Sequence, residues 1–321
     1  MKSPEPILMP DEQRGFRRRL LHWFGRNRRQ FPWRADRDPY RVWISEIMLQ
    51  QTRVAVVRER YPDFLARFPS VARLAAAKLP EVLAAWSGLG YYRRARALHA
   101  AARQLVKDGA GFPRTAEELA TLPGIGRYTA AAIASIAFGQ PCAVVDGNVE
   151  RVLGRLFGVR ERQAWRAAEE LLHPHRPGDF NQAMMELGAT VCLPKAPLCA
   201  ECPVFPWCRT RGADAARGQS LRRKKPIAYR LALRNQSVFL VRRGSHESLM
   251  PGMWELPPTR PRAGAPMLLL RHAITNTDYQ VSVYRARSAN GSRGRWVKLA
   301  EVERLPLTGL TQKILRRSNL I

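Results

Sequence analysis

The chain has 321 residues, with 54 Lys and Arg against 26 Asp and Glu and a formal net charge of +28. That length can bury one large core or two unequal ones, and the excess of cations favours a polyanionic partner through counterion release, nucleic acid before an acidic membrane surface. No apolar run is long enough to span a bilayer and Met1 to Pro10 lacks a signal-peptide pattern, so no membrane partner is expected, and a soluble, cytoplasmic protein is.

Asp11 to Arg28 carries apolar residues on one helical face and arginines on the other. Phe31-Pro32-Trp33-Arg34 breaks that helix, and Asp38-Pro39-Tyr40 leads into a second one, Val42 to Thr52. Glu46 is the lone carboxylate of this nearly apolar stretch. If it is buried, desolvation raises its pKa and suits it to general-acid work near neutral pH; the alternative is a glutamate on a solvent-facing stripe. Short helices are expected over Val71 to Ala77 and Glu81 to Ala85, followed by Gly88-Leu89-Gly90-Tyr91-Tyr92 beside Arg93, Arg94 and Arg96. A glycine-supported aromatic next to cations can wedge into a base stack, although the tyrosines could equally cap a core.

Thr115 to Thr121 opens with a capping threonine and leads into Leu122-Pro123-Gly124-Ile125-Gly126, a tight turn before the alanine-rich helix Arg127 to Phe138. Amides at the start of that second helix suit a phosphate. Asp146, in Val144-Val145-Asp146-Gly147-Asn148-Val149, reads as a helix N-cap or as the partner of Glu46, since cleaving a glycosidic bond uses one carboxyl as acid and another facing the sugar cation. The first two hundred residues read as all α.

Cys192, Cys199, Cys202 and Cys208 form C-x6-C-x2-C-x5-C, which can hold a 4Fe–4S cluster or a tetrahedral zinc. Only one close pair is present where zinc sites usually show two, which favours iron–sulfur. Cys142 stands apart and reads as a core thiol. Beyond Cys208 the composition turns polar and basic through Arg222-Arg223-Lys224-Lys225, a linker by its pattern. Alternating strands then begin: Ala228 to Leu233, Ser237 to Arg242 and Gln280 to Ala286.

Taken together and in order, WISEIMLQQT, GLGYYRRAR, LPGIGRYTAAAIAS, VVDGNV, NQAMMELGA and the cysteine loop resemble the helix–hairpin–helix DNA glycosylases, most closely the MutY-type adenine DNA glycosylases. The resemblance implies a mainly α helix–hairpin–helix glycosylase domain over 1–210 with a 4Fe–4S loop at 192–208. A basic linker over 211–226 and a small α+β, Nudix-like lesion-recognition domain over 227–321 follow. It implies a base-excision repair enzyme that acts, as a monomer, on double-stranded DNA carrying adenine opposite 8-oxoguanine or guanine, and a nucleoid-associated location. Glu46 matches the acid that protonates adenine at N7, and Asp146 the carboxylate that stabilises the sugar cation. Tyr128 and Asn148 match residues that position them. Trp33 and Glu186 fall where the adenine pocket would be, Tyr91 and Gln51 where side chains enter the base stack, with Gln50 beside them. Leu122, Gly124 and Gly126 match the phosphate-binding turn.

Two departures refine this. Endonuclease III relatives carry a lysine where Tyr128 stands, and a phenol cannot form the imine that permits strand cleavage, so a monofunctional enzyme leaving an abasic site is expected. Ile274-Thr275-Asn276 replaces the Phe-Ser-His loop through which the family reads 8-oxoguanine, leaving Thr275 and Asn276 as the candidate readers. No glutamate-rich Nudix box is present, so pyrophosphate hydrolysis is not expected. The alternatives are a glycosylase removing thymine opposite guanine, and a catalytically silent damage-binding protein.

Overall fold

A computed structural model describes residues 6–109, 111–213, 223–244, 246–247, 250–261, 264–274, 277–286 and 294–321; the expected readers Thr275 and Asn276 lie outside them. In chain order the helices are α1 (Pro10–Asn27), α2 (Pro39–Leu49), α3 (Val54–Arg67), α4 (Val71–Ala76), α5 (Leu79–Ala85), α6 (Arg93–Asp108), α7 (Ala116–Leu119), α8 (Arg127–Phe138), α9 (Gly147–Phe157), α10 (Arg162–Leu171), α11 (Pro177–Thr190), α12 (Leu299–Val302) and α13 (Gly309–Arg317). The strands are β1 (Arg223–Arg234), β2 (Ser237–Arg242), β3 (Trp254–Glu255), β4 (Pro258–Thr259), β5 (Leu268–Ile274), β6 (Thr277–Ala286) and β7 (Gly294–Lys298). No helix among the described residues is long and apolar enough to cross a membrane.

The chain divides into two compact units, Met1–Gln51 with Gln104–Arg217, and Thr52–Arg103 with Gly218–Ile321. In the first, α1, α9, α10 and α11 close on a core that includes Phe16, Leu20, Phe24, Leu153, Phe180 and Leu187. Helix α2 begins after Asp38, whose carboxylate accepts from the Arg41 amide at 2.8 Å. Its residues from Val42 to Met48 are all buried, so it is a core helix and not an amphipathic surface one. It packs on α8, whose small residues Ala130, Ala131, Ala132 and Ala134 keep the neighbours close. Gly178 carries this furthest: a Cβ there would lie 2.5 Å from the Ser135 carbonyl oxygen, so only glycine lets α11 start against α8.

The second unit joins α3 to α5 and most of α6 to a sheet of order β3-β2-β1-β6-β5, with β4 on β1 and β7 on β2. β1 runs parallel to β6 from Arg223↔Thr277 to Ala232↔Ala286, so the basic run Arg223-Lys224-Lys225 opens a strand, because β6 offers its backbone a partner. β1 turns into β2 through Asn235 and Gln236, both left-handed, with the Arg234↔Ser237 pairing of a two-residue hairpin. Leu231, Val238, Leu240, Val281, Val283 and Val297 of the sheet pack with Leu310, Ile314 and Leu315 of α13.

Candidate active site and cysteine loop

Glu46 is 7% exposed. Its Oε2 accepts from the Tyr128 hydroxyl at 3.0 Å. Burial pushes its carboxyl up to about 7, helped by the charge of Asp146 and opposed by the Tyr128 bond and the charge of Arg34. Near neutral pH it therefore holds a proton it can give away. Tyr128 sits in the first turn of α8, its phenol also 3.4 Å from the Met185 sulfur. Burial and the two carboxylates raise its own pKa well above the phenol range, so it stays a donor.

Asp146 is both an N-cap and a member of the carboxylate pair. Its Oδ1 accepts from the amides of Asn148 (2.9 Å) and Val149 (2.7 Å) at the start of α9, and its Oδ2 from the Asn148 side chain at 3.1 Å. Three donors at a helix N-terminus fix the direction of this carboxylate. Asn148 is held in turn by Arg151, which donates to Asn148 Oδ1 at 2.8 Å, to the Gly188 carbonyl at 2.7 Å and to the Cys192 carbonyl at 3.0 Å. The absence of a Cβ on Gly188 makes this possible, since one would lie 2.7 Å from Asn148 Cβ.

Glu186 is 1% exposed and its carboxylate is fully engaged. Arg29 donates Nε to Oε1 at 2.7 Å and Nη2 to Oε2 at 3.1 Å, and Arg34 donates to Oε2 at 2.9 Å. Burial opposes its ionisation, but the two guanidinium groups outweigh it and hold the carboxyl below its usual range. Trp33 is buried in the short turn Pro32–Arg34 and stacks on Phe31 with ring centres 4.7 Å apart. Both arginines also lie over the Phe31 ring. Sequence reading missed Arg29, Arg34, Met185 and Arg151. Of these only Arg151 carried a signal, lying one helical turn after Asn148.

The turn before α8 has Leu122 and Ile125 buried and Gly124 in the left-handed region at φ +77°. No side chain caps α8, and a Cβ on Gly126 would meet nothing within 4 Å, so the helix start is open to an outside anion. Gln50 ends α2 and donates to Thr129 Oγ1 at 3.0 Å. Gln51 and Tyr91 both have left-handed backbones, φ 52° and 46°, a conformation that costs a non-glycine residue about 1–3 kcal/mol. Tyr91 is 41% exposed, between Gly90 at φ +69° and α6.

All five cysteines are free thiols. Cys192, Cys199, Cys202 and Cys208 border one cavity, and Arg155 donates to Cys192 Sγ at 3.4 Å while anchoring the loop through the Leu193 and Pro194 carbonyls. Burial and the neighbouring cysteines raise the Cys202 thiol to about 11. Cys142 is half-buried, its thiol donating to the Ala131 carbonyl at 3.4 Å.

Residues 44–177 match the model of the HhH-GPD superfamily base excision DNA repair proteins. The chain is 50% identical over 218 residues to the adenine DNA glycosylase of Homo sapiens, a match covering 62% of this chain and 40% of the human one. It is 33% identical over 257 residues to the adenine DNA glycosylase of Buchnera aphidicola subsp. Schizaphis graminum, covering 75% and 74%. A thermostable thymine-DNA glycosylase superposes with a TM-score of 0.59 at 31% identity, over 64% of this chain and 98% of that one. The chain thus spans about two fifths of the mammalian relatives and about three quarters of the bacterial one. It belongs to the adenine DNA glycosylase family of the HhH-GPD base excision DNA repair proteins.

Proposed function

We propose that this chain is a monofunctional DNA glycosylase that removes adenine mispaired with 8-oxoguanine or guanine. The observation that carries the reading is Glu46: a buried carboxyl whose pKa is raised to about 7, bonded to Tyr128 and close enough to Asp146 to feel its carboxyl. Glu46 gives its proton to adenine N7. The C1′–N9 bonding pair leaves with the base, and positive charge develops on the sugar. Asp146, held by the α9 amides and Asn148, stabilises that cation until water adds at C1′ and loses a proton, leaving an abasic site. Tyr128 offers no amine, so no imine forms and the strand stays intact. Base extrusion precedes this, since the glycosidic bond is unreachable inside a stacked duplex.

The helix start after Gly126 suits a backbone phosphate, the net charge of +28 favours duplex DNA, and Tyr91 and Gln51 are read as the residues that enter the stack. The cysteine loop fits a 4Fe–4S cluster: four free thiols border one cavity, with Arg155 beside Cys192 to offset thiolate charge. Cys192, Cys199, Cys202 and Cys208 would hold such a cluster, which would cross-link the loop, while Glu46 and Asp146 carry the excision chemistry.

The second reading, thymine removal opposite guanine, is favoured by the likeness to the thymine-DNA glycosylase. Single-turnover excision on duplexes with A opposite 8-oxoguanine, A opposite G and T opposite G separates the two. Alkali-dependent cleavage at A is expected, abolished in Glu46→Gln and strongly reduced in Asp146→Asn. Cleavage at T alone, or full activity in either variant, would overturn the proposal. Iron and acid-labile sulfide in equal amounts, with a broad visible absorption band, test the cluster against zinc.

A further inference from the structure

We propose that Tyr92 is a positioning residue: a buried hydrogen bond from its hydroxyl to the Leu307 carbonyl fastens the loop bearing Tyr91 to the C-terminal sheet region and so sets how Tyr91 enters the base stack. The inference rests on the reading of Tyr91 as the wedge. Both segments belong to the same compact unit.

Tyr91 and Tyr92 are consecutive and point apart: Tyr91 is 41% exposed, whereas Tyr92 is 3% exposed. The Tyr92 hydroxyl donates to the Leu307 carbonyl at 2.9 Å, across 215 residues of sequence. Ser87 Oγ lies 3.4 Å from the same hydroxyl and 3.5 Å from the same carbonyl, completing a buried cluster at both ends of the wedge loop. One helical turn further on, Arg96 donates to the Pro251 carbonyl at 2.6 Å.

The two acceptors belong to one platform. The Trp254 amide donates to the Pro306 carbonyl at 2.8 Å and the Thr308 amide to the Trp254 carbonyl at 2.9 Å, while Leu307 is fully buried in the core of the sheet region. Thr308 then caps α13, and from α13 Lys313 donates to the Arg271 carbonyl at 2.7 Å, in the strand that leads to Ile274. On the loop side, Trp86 donates to the Gly90 carbonyl at 3.1 Å and Arg94 to the Leu89 carbonyl at 3.0 Å. The loop backbone is thus held just before Tyr91, and the Arg94 amide donates to the Tyr91 carbonyl at 2.9 Å; the Tyr91 ring lies under the Arg94 guanidinium at 5.4 Å. A phenol that served only to fill the core could satisfy its hydroxyl on the adjacent Ser87. Reaching Leu307 instead makes the wedge and the C-terminal region one rigid piece, so a fit made by either is felt by the other.

The test uses the full chain and a duplex with 2-aminopurine next to the base opposite adenine, bound by Glu46→Gln protein so that no excision occurs. Stacking of Tyr91 quenches the probe, and Tyr91→Ala defines the unquenched level. Adding Tyr92→Phe, which keeps the ring and loses only the hydroxyl, is expected to move quenching most of the way to that level. In an otherwise unaltered chain it is expected to lower the ratio of excision rates opposite 8-oxoguanine and opposite guanine by about tenfold, the size of one lost buried hydrogen bond. Arg96→Met, which loosens the second anchor, is expected to shift both readouts in the same direction and serves if Tyr92→Phe does not fold. Unchanged quenching and ratio in a folded Tyr92→Phe or Arg96→Met protein would overturn the latch while leaving the wedge reading intact. No difference between the parent and Tyr91→Ala would overturn the wedge reading, and the latch with it.

Discussion

The proton on Glu46 links stability to activity. The folded protein keeps it to about pH 7, the unfolded chain only to about 4.5. Folding therefore takes up a proton between those values, and stability falls as pH rises through that window. At 1.36 kcal/mol per pH unit the penalty reaches up to about 3 kcal/mol above pH 7. Glu46→Gln is expected to raise the melting temperature at pH 8 and to leave it nearly unchanged at pH 5, while excision is lost at both. If Glu46 is the acid proposed above, the same proton is expected to set the alkaline limb of the excision profile, with activity falling above about pH 7. Arg34 pulls the Glu46 pKa down, and Glu186 neutralises part of the Arg34 charge. Glu186→Gln leaves that charge uncompensated, so the alkaline limb is expected to move to lower pH. A single-turnover pH profile checks this, and an unmoved limb would show that Arg34 does not act on Glu46.

Two helix ends and one helix start build the carboxylate pair. The Asp146 N-cap fixes its carboxylate on α9, and α11 seats Asn148 against it by passing close at Gly188. Gly188→Ala would push Asn148 aside by several tenths of an ångström. Because misplacement of a reacting group by about 1 Å costs about a hundredfold, this variant is expected to lose at least tenfold in single-turnover rate while remaining folded, as circular dichroism would report. Gly178→Ala has a larger consequence, since its Cβ would lie 2.5 Å from the Ser135 carbonyl oxygen and 2.7 Å from the Ile136 Cα of α8, against 3.0 Å from the Asn148 backbone at Gly188. Loss of stability, not of rate per folded molecule, is expected there.

At the scale of the whole molecule, the charge of +28 is expected to dominate encounter with the proposed DNA partner. Contacts to about 6–10 phosphates would lower affinity about 10³–10⁵-fold between 50 and 200 mM salt. A salt titration of duplex binding by anisotropy is expected to show this steepness equally for mispaired and fully paired DNA, with the mispair adding a constant, salt-independent increment. A shallow slope would mean that most of the cations never meet phosphate.

Much of this was legible in the sequence because it is local. Asp38 and Thr115 announce their helices through side chains that cap amides a few residues away, and the cysteine spacing announces a loop built on its own thiols. The near-continuous apolar run around Glu46 left burial and a solvent-facing stripe both open; the structure buries it, and the burial raises its pKa. Tertiary structure alone decided who answers each charged or polar group. Tyr128 meets Glu46 across 82 residues, Arg29 meets Glu186 across 157, and Tyr92 meets Leu307 across 215. Periodicity encodes which side of an element is buried, not which distant element arrives to cover it. The resemblance puts Glu186 at the adenine pocket, and only the structure shows the two arginines that bind its carboxylate, because the partners that satisfy a buried charge are chosen by packing.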